Sequence, residues 1–520
     1  MSSIEEKIII LDFGSQYTNL IARRIREMNV LSEIRSPSTS LQAIMRECPK
    51  GIILSGGPGS VHDGQIPFDR LILETSIPIL GICYGMQLLN ALNHGTVKSL
   101  GRGEYGKQKI SLKGECKLFQ GCTNQEIVWM SHGDSIEKLA PCFTSVASSH
   151  DGIVAAIQHT RLPHFGVQFH PEVTHTEMGK QIIDNFLNVC GCNRTWTMNN
   201  YMQSVQEEIK QQVGNGRVVS LVSGGVDSTA ATFLCYAALG SERVFPLHID
   251  TGLMRAGESQ QVRQLLESHG MHNLVFVDAS KEFLKALKGV SDPETKRKII
   301  GDLFIKILEK EISKLDEYEG KTFFCQGTLY TDLIESGKGC GQHAAVIKSH
   351  HNVNPPIVEK KRKQGLIIEP NARIFKDEVR RLCAALNIPH HLIWRHPFPG
   401  PGLAIRIIGE INEERLQVLR QADLIFLEEI HKAGLYEAIW QAFAVLIPVK
   451  TVGVMGDKRT EGNVIALRAV SSTDGMTAEF SHMPMELLGR IATRIINEVP
   501  QINRVVYDVT SKPPGTIEWE

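Results

Sequence analysis

The sequence predicts a multidomain α/β protein, and three observations carry the prediction. At 520 residues, 42% apolar and 22% charged, the chain has ordinary globular composition but is too long for one hydrophobic core. Short, continuous apolar runs ending in glycine or polar residues alternate with segments of helical periodicity, the pattern of parallel strands joined by helices. Toward the C-terminus helical signals thin and mixed strands take over, as in a small α+β domain.

In chain order, Ile8-Ile9-Ile10-Leu11-Asp12-Phe13-Gly14 is an apolar run closed by glycine and reads as a buried parallel strand. Thr18 to Met28 follows as a helix with Leu20, Ile21 and Ile25 on one stripe. Gly51 to Leu54 is a second strand, leading into the loop Ser55-Gly56-Gly57-Pro58-Gly59. A third, Ile77 to Ile82, runs into Gly81-x-Cys83-x-Gly85, with Met86 to Leu92 helical behind it. That spacing is a nucleophile elbow: small neighbours let a strained strand-to-helix turn expose the central side chain. Here that side chain is a thiol over a helix N-terminus, which favours the thiolate. Phe165 to Glu172 is another strand-like run. If it is extended, His170 and Glu172 are two apart and share a face. Glu172 then orients His170, which serves Cys83 as base and the leaving amine as acid. The backbone N–H groups of Gly57 and Tyr84 are candidates for an oxyanion hole.

Gly101-x-Gly103-x-x-Gly106 fits a dinucleotide fingerprint by letter. The alternating stretch Lys107 to Lys113 that follows predicts a strand where the fingerprint needs a helix, so nicotinamide binding is not expected. Cys190-Gly-Cys192-Asn-Arg-Thr195 reads as a linker rather than a metal site, because there is no second cysteine pair. The boundaries expected are 1–192, 193–395 and 396–520.

In the central stretch, helix Met198 to Val213 precedes the strand Val218 to Val222, which ends in Ser223-Gly224-Gly225-Val226-Asp227-Ser228 before an Ala-rich helix from Ala230 to Leu239. Glycines, hydroxyls and helix-terminal amides make such a turn an anion cradle. It is not a Walker A loop, which needs Gly-Lys-Ser/Thr. The acid Asp227 inside it makes sense if Mg2+ accompanies the phosphate. Strands at Val244 to Gly252, Leu274 to Ser280 and Thr322 to Thr328 also end in polar residues, where α/β proteins bind ligands. Asp250 is either a Mg2+ or ribose partner or a turn acid. Lys296-Arg297-Lys298 reads as a solvated helix face. Glu359-Lys-Lys-Arg-Lys363 reads as a solvated, mobile loop, not a nucleic-acid tract.

Arg395 to Arg406, stiff with Pro and Gly, reads as a domain junction. Beyond it come a helix (Glu413 to Ala433) and strands around Val445–Ile447, Val464–Leu467 and Arg504–Asp508, whose apolar edges suit a homodimer. Lys512 to Glu520 carries two prolines and a Trp and is expected to dock. Lys512 can neutralise a phosphate and Glu518 can accept from a purine N–H, and a purely structural tail accounts for them equally well. A net charge of −1 excludes a bulk nucleic-acid or acidic-lipid binder. Eleven cysteines, an odd number without a C-x-x-C pair, point to a reducing compartment. With a polar Met1 to Lys7 and no apolar run of membrane-spanning length, the expected location is cytoplasmic, with neither membrane nor nucleic-acid partners.

Residues 7 to 190 resemble the class I glutamine amidotransferases. This implies a Cys83-His170-Glu172 triad, with glutamine held by Gln87 and by the stretch Trp129 to Asp134, including Ser131 and Asp134. Ser2 speaks against the class that uses an N-terminal Cys. Ser223 to Ser228 resembles the pyrophosphate loop of the ATP pyrophosphatases, implying ATP contacts along Ser223, Gly224, Gly225, Val226, Asp227 and Ser228, with adenine against the strand that begins at Val244. Together with Phe398-Pro-Gly-Pro-Gly-Leu-Ala404 and Lys512 to Glu520, in this order, nearly the whole chain resembles the glutamine-hydrolysing GMP synthetase family. The resemblance implies an open amidotransferase sheet, an adenine-nucleotide α-hydrolase-like doubly wound parallel sheet, and a small α+β dimerisation domain. It further implies ATP with Mg2+, XMP contacts at Arg297, Gln441, Lys512, Ile517 and Glu518, and a homodimer. Two stretches depart from the family pattern: Asn354-Pro355-Pro356 replaces Gly-Gly-Leu-Pro, and Thr331 replaces Pro. The alternative is adenylation of another acceptor by a similar loop, as in NAD synthetases.

Overall fold

The structure, a computed structural model, describes residues 6–62, 68–316, 320–335, 356–455, 457–472 and 477–520. The chain divides into two compact units, Met1–Tyr201 with Thr331–Lys348, and Met202–Tyr330 with Ser349–Glu520. Among the described residues no helix is long and apolar enough to cross a membrane.

The first unit is built on β1 (Lys7–Leu11), β2 (Leu31–Arg35), β3 (Gly51–Leu54), β4 (Ile79–Ile82), β5 (Thr96–Leu112), β6 (Gln125–Lys138), β7 (Phe143–Ser149), β8 (Val154–His159) and β9 (His164–Val167). Their order is β2-β1-β3-β4-β9-β8-β7-β5-β6. Five strands run parallel through β9 and the rest are antiparallel, so the open sheet is mixed. The apolar runs at β1, β3 and β4 are fully buried, so both faces of the sheet are covered there. β5 passes straight through the glycine fingerprint, as the alternation predicts. The edge strand β2 was not expected from the sequence. Its Leu-Ser-Glu-Ile-Arg pattern lacks a continuous apolar run, and it is held by parallel pairing to β1.

The second unit carries β10 (Arg217–Leu221), β11 (Val244–Asp250), β12 (Val275–Asp278), β13 (Thr322–Cys325) and β14 (Ile367–Ile368), all parallel, in the order β12-β11-β10-β13-β14. This is a doubly wound sheet whose strand order reverses between β10 and β13, where ligands of such sheets sit. A second sheet pairs β15 (Gln441–Met455) with β16 (Lys458–Ser471), which also takes β17 (Glu479–Phe480) and, in parallel, β18 (Ile502–Tyr507). The helix Met485–Glu498, unmarked in the sequence reading, packs beside Glu413–Lys432.

Three expectations are corrected: the start of one helix, the loop at 359–363 and the exposure of Lys296. The helix after the phosphate loop starts at Val226 rather than Ala230, so Asp227 and Ser228 lie in its first turn. In the Arg395 to Arg406 stretch, Leu403, Ala404, Ile405 and Arg406 are buried, and the core runs from Val219 and Leu247 to Leu446 and Ile465. Glu359 to Lys363 is not a loop but part of the helix Pro356–Lys363. Its Lys361 is buried and donates to the Thr322 carbonyl at 2.9 Å, and Arg362 pairs with Glu369 at 3.1 Å. Lys296 is not on a solvated face; it is wholly buried and donates to the carbonyls of Ala404 and Ile407. Asn354 and Pro355 lie outside the described residues. Thr331 is half-buried in the helix Tyr330–Glu335.

Candidate active sites

In the first unit, β4 feeds directly into the helix Tyr84–Leu92, and Cys83 stands between them at φ +52°, ψ −106°. A non-glycine residue held there is strained and projects its side chain at the head of the helix. The crowding explains the flanking glycine: a Cβ on Gly85 would sit 2.3 Å from the Leu54 carbonyl oxygen. Cys83 N–H donates to the Val167 carbonyl at 2.7 Å, extending the β4–β9 pairing and bringing the run after β9 beside the thiol.

His170 and Glu172 do come together, with His170 Nδ1 2.7 Å from Glu172 Oε1, but not on an extended strand. β9 ends at Val167, and a turn pinned by His170 N–H to the Trp129 carbonyl and Thr176 Oγ1 to the His170 carbonyl makes the pair. Both residues are buried. Burial alone would depress the imidazole pKa. The Glu172 carboxylate and the hydrogen-bonded Cys83 sulfur override it and hold His170 up at about 10. Cys83 and His170 open onto a cavity of about 540 Å³, lined also by Gly57, Tyr84, Gln87, Ser131 and Asp134; of the expected residues on this side, Glu172 and the Trp129-Met130 start of the glutamine stretch do not line it. Gln87 donates from Nε2 to the Asp134 carbonyl at 2.8 Å, and the Ser131 carbonyl lies 3.8 Å from Cys83 Sγ. This arrangement can generate a thiolate, protonate a leaving amine and enclose a small amide substrate.

In the second unit, the phosphate loop follows β10 at the switch point. Gly224 adopts φ +82°, with Val262 and Arg395 against it, and the Arg395 guanidinium donates to the Gly224 carbonyl at 2.9 Å while pairing with Glu258. Ser223 and Ser228 brace each other across the turn at 3.1 Å, and Gly225 opens the helix Val226–Leu239. Asp227 Oδ1 is buried with no hydrogen-bond partner among the described residues, and Lys376 Nζ stands 3.6 Å from Oδ2. Asp250 accepts from the Gly252 N–H at 2.8 Å, which is the turn-acid geometry.

The C-terminal segment is docked, as expected. Glu518 forms a two-pronged pair with Arg406 (2.8 and 3.0 Å) and accepts from Gln441 Nε2 at 2.7 Å. Arg406 is wholly buried, its guanidinium 4.1 Å from the Phe443 ring centroid and 5.1 Å from that of Phe398. Arg297 bonds the Glu520 carbonyl and Lys296 the Glu520 carboxylate. Ile517 packs against Phe443, Val445 and Ala466, and Lys512 bridges through its backbone to Ala478. All five candidate acceptor residues thus either belong to the tail, as Lys512, Ile517 and Glu518 do, or hydrogen-bond to it, as Arg297 and Gln441 do.

Residues 9–190 match the family Glutamine amidotransferase class-I, 197–298 match NAD synthase, and 428–519 match GMP synthase C terminal domain. A GMP synthase [glutamine-hydrolyzing] of Wolinella succinogenes is 50% identical over 521 residues, covering 99% of this chain and 98% of that protein. One of Francisella tularensis is 48% identical with 99% of each covered, and one of Symbiobacterium thermophilum 49% with 100% of each. The chain belongs to the glutamine-hydrolysing GMP synthase family. It is therefore an enzyme of the ligase class.

Against the family, the three matched segments follow the order in which the sequence places amidotransferase, loop and tail. The sequence reading missed Arg395, Arg406 and Gln168, although the last two carry a signal. Arg406 is a charge closing the apolar stretch Leu403-Ala-Ile, and Gln168 is a lone amide inside Phe165-Gly-Val-Gln-Phe169. A polar residue within a run destined for burial needs a partner there.

Proposed function

We propose that this member of the GMP synthase family aminates XMP to GMP at the expense of ATP, using ammonia that its own amidotransferase unit releases from glutamine. The observation that carries the reading is the near-50% identity along the whole chain to GMP synthases [glutamine-hydrolyzing]. Cys83 attacks the glutamine amide, and the Gly57 and Tyr84 N–H groups stabilise the oxyanion. His170 delivers its proton to the departing ammonia, leaving a thioester that water cleaves to glutamate. Gln87, Ser131 and Asp134 hold the substrate.

In the second unit Ser223 to Ser228 cradle the ATP phosphates, and Asp250 caps the turn beside the adenosine, whose base lies along β11. The 2-oxygen of XMP attacks the α-phosphorus and pyrophosphate leaves. Ammonia then displaces AMP from the adenyl-XMP intermediate at C2. Arg297, Gln441, Lys512, Ile517 and Glu518 hold the purine nucleotide. The orphaned, buried Asp227 Oδ1 fits a Mg2+ that arrives with the nucleotide, since Mg2+ takes one or two carboxylates and completes its shell with phosphates and water. When bound, it neutralises charge on the departing pyrophosphate. Dividing the second unit at residue 395 separates the ATP-binding loop from every proposed acceptor residue except Arg297, within one continuous core.

A homodimer through the C-terminal sheet is supported by Val449, Val452 and Val454, all more than half exposed on β15. Replacing Val452 and Val454 by Glu should convert a dimer to a monomer in analytical ultracentrifugation; a wild-type protein that sediments as a monomer contradicts the dimer. The reaction is tested by following GMP from XMP, ATP, Mg2+ and glutamine. Accumulation of glutamate without GMP under saturating nucleotides would refute XMP as acceptor and direct attention to the alternative acceptors that NAD synthase-like loops adenylate.

A further inference from the structure

We infer that Gln168 is a catalytic residue of the glutaminase site, its side-chain N–H donating to the Cys83 sulfur and stabilising the thiolate; this rests on Cys83 being the nucleophile. Gln168 is wholly buried, its backbone N–H bonded to the Ala155 carbonyl at 2.9 Å, and the Cys83-to-Val167 backbone bond sets its side chain beside the thiol. Gln168 Nε2 lies 3.6 Å from Cys83 Sγ.

An amide can face either way at such a contact, but here the partners decide. The Asp134 carbonyl can only accept, so the Gln87 atom 2.8 Å from it is Nε2. That NH2 group also stands 3.2 Å from Gln168, so the Gln168 atom facing it is Oε1, the acceptor. Gln168 Nε2 is then left facing the sulfur. A protonated Cys83 has another partner, donating to the Ser131 carbonyl at 3.8 Å. A thiolate has no proton to give and only accepts, so the Gln168 N–H favours the charged form over the neutral one. The chain Asp134 carbonyl, Gln87, Gln168, Cys83 thus carries orientation from the strand β6 to the nucleophile. It also gives Gln87 a second task beside holding glutamine.

The titratable groups about the thiol are His170 with Glu172 behind it and, along the cavity wall, His132, Asp134, Tyr17, Tyr84 and Tyr105; Glu104 stands behind His132 at 3.0 Å. None of these is altered by substitutions at Gln168.

The test is the rate of Cys83 alkylation by iodoacetamide against pH in the full-length enzyme, read on the Cys83 peptide by mass spectrometry. Wild type is compared with Gln168→Leu, Gln168→Met and Gln168→Glu, and thermal unfolding shows which variants are folded. Loss of a hydrogen bond to a charged group should move the alkylation midpoint up by about one pH unit in the Leu and Met variants, and glutaminase kcat at neutral pH should fall about tenfold. The Glu variant, which sets a carboxylate against the thiolate, should move it further. An unmoved midpoint in a folded Leu or Met variant overturns the inference, as does a shift in the Glu variant alone. Wild-type enzyme that keeps its glutaminase activity after complete alkylation of Cys83 overturns instead the assignment of the nucleophile.

Discussion

His170 is buried, yet its neighbours keep its proton on: the Glu172 carboxylate 2.7 Å from Nδ1 and the Cys83 sulfur outweigh desolvation and raise its pKa to about 10. The sign follows from linkage. A pKa raised on folding adds stability that is fully present below about 6.5, the pKa of an unperturbed imidazole, and is lost as the pH rises through about 10. In the proposed mechanism the same proton is the one handed to ammonia. Glu172→Gln should therefore bring the alkaline limb of the glutaminase pH–rate profile down toward neutrality and lower kcat by about a hundredfold or more at pH 8. An alkaline limb that stays in place would detach Glu172 from His170. In the second unit, Glu518 Oε1 already accepts from Arg406 and Gln441 and Oε2 from Arg406, which leaves room on Oε2 for one more donor such as a purine N–H. Glu518→Gln should raise the KM for XMP at least tenfold while leaving the KM for glutamine alone, as read from initial rates.

At the scale of elements, both chemical turns sit where a parallel strand hands over to a helix, and glycine decides each. Gly85→Ala drives a Cβ to 2.3 Å of the Leu54 carbonyl, so β3 or the helix Tyr84–Leu92 must shift. The expected outcome is a loss of about 1–3 kcal/mol in thermal or denaturant unfolding and a larger relative loss of glutaminase than of ammonia-driven GMP synthesis. Equal losses would show that the elbow tolerates displacement. Elements of this kind are legible in sequence because strands buried on both faces must be apolar throughout: β1, β3, β4 and β10 stand out, as do the glycines that end them. What is not legible depends on pairing. β2 and β17 are short edge or marginal strands held by neighbours, and the basic segment at 359–363 looks solvated until Lys361 and Arg362 are seen to bind Thr322 and Glu369. The turn that joins His170 to Glu172 is likewise set by Trp129 and Thr176, more than forty positions upstream and six downstream of His170, so strand periodicity gives the right pair for the wrong reason.

At the scale of the whole molecule, Cys83 belongs to one compact unit and the Ser223 to Ser228 loop to the other, so ammonia made by the first must serve an intermediate held by the second. Release without an acceptor wastes glutamine. Glutaminase turnover is therefore expected to rise at least severalfold when XMP and ATP are both bound, which is a coupling free energy between sites. A rate unchanged at saturation with both nucleotides would show the units to be independent. The identity of the substrates themselves rests on one comparison: GMP formation from XMP, ATP and Mg2+, with either glutamine or ammonium as nitrogen donor, in wild type and Cys83→Ala. The expected result is that the variant loses glutamine-driven synthesis and keeps ammonium-driven synthesis near the wild-type rate. Wild type that makes no GMP with either donor, or a variant that still uses glutamine, would contradict the two-site account.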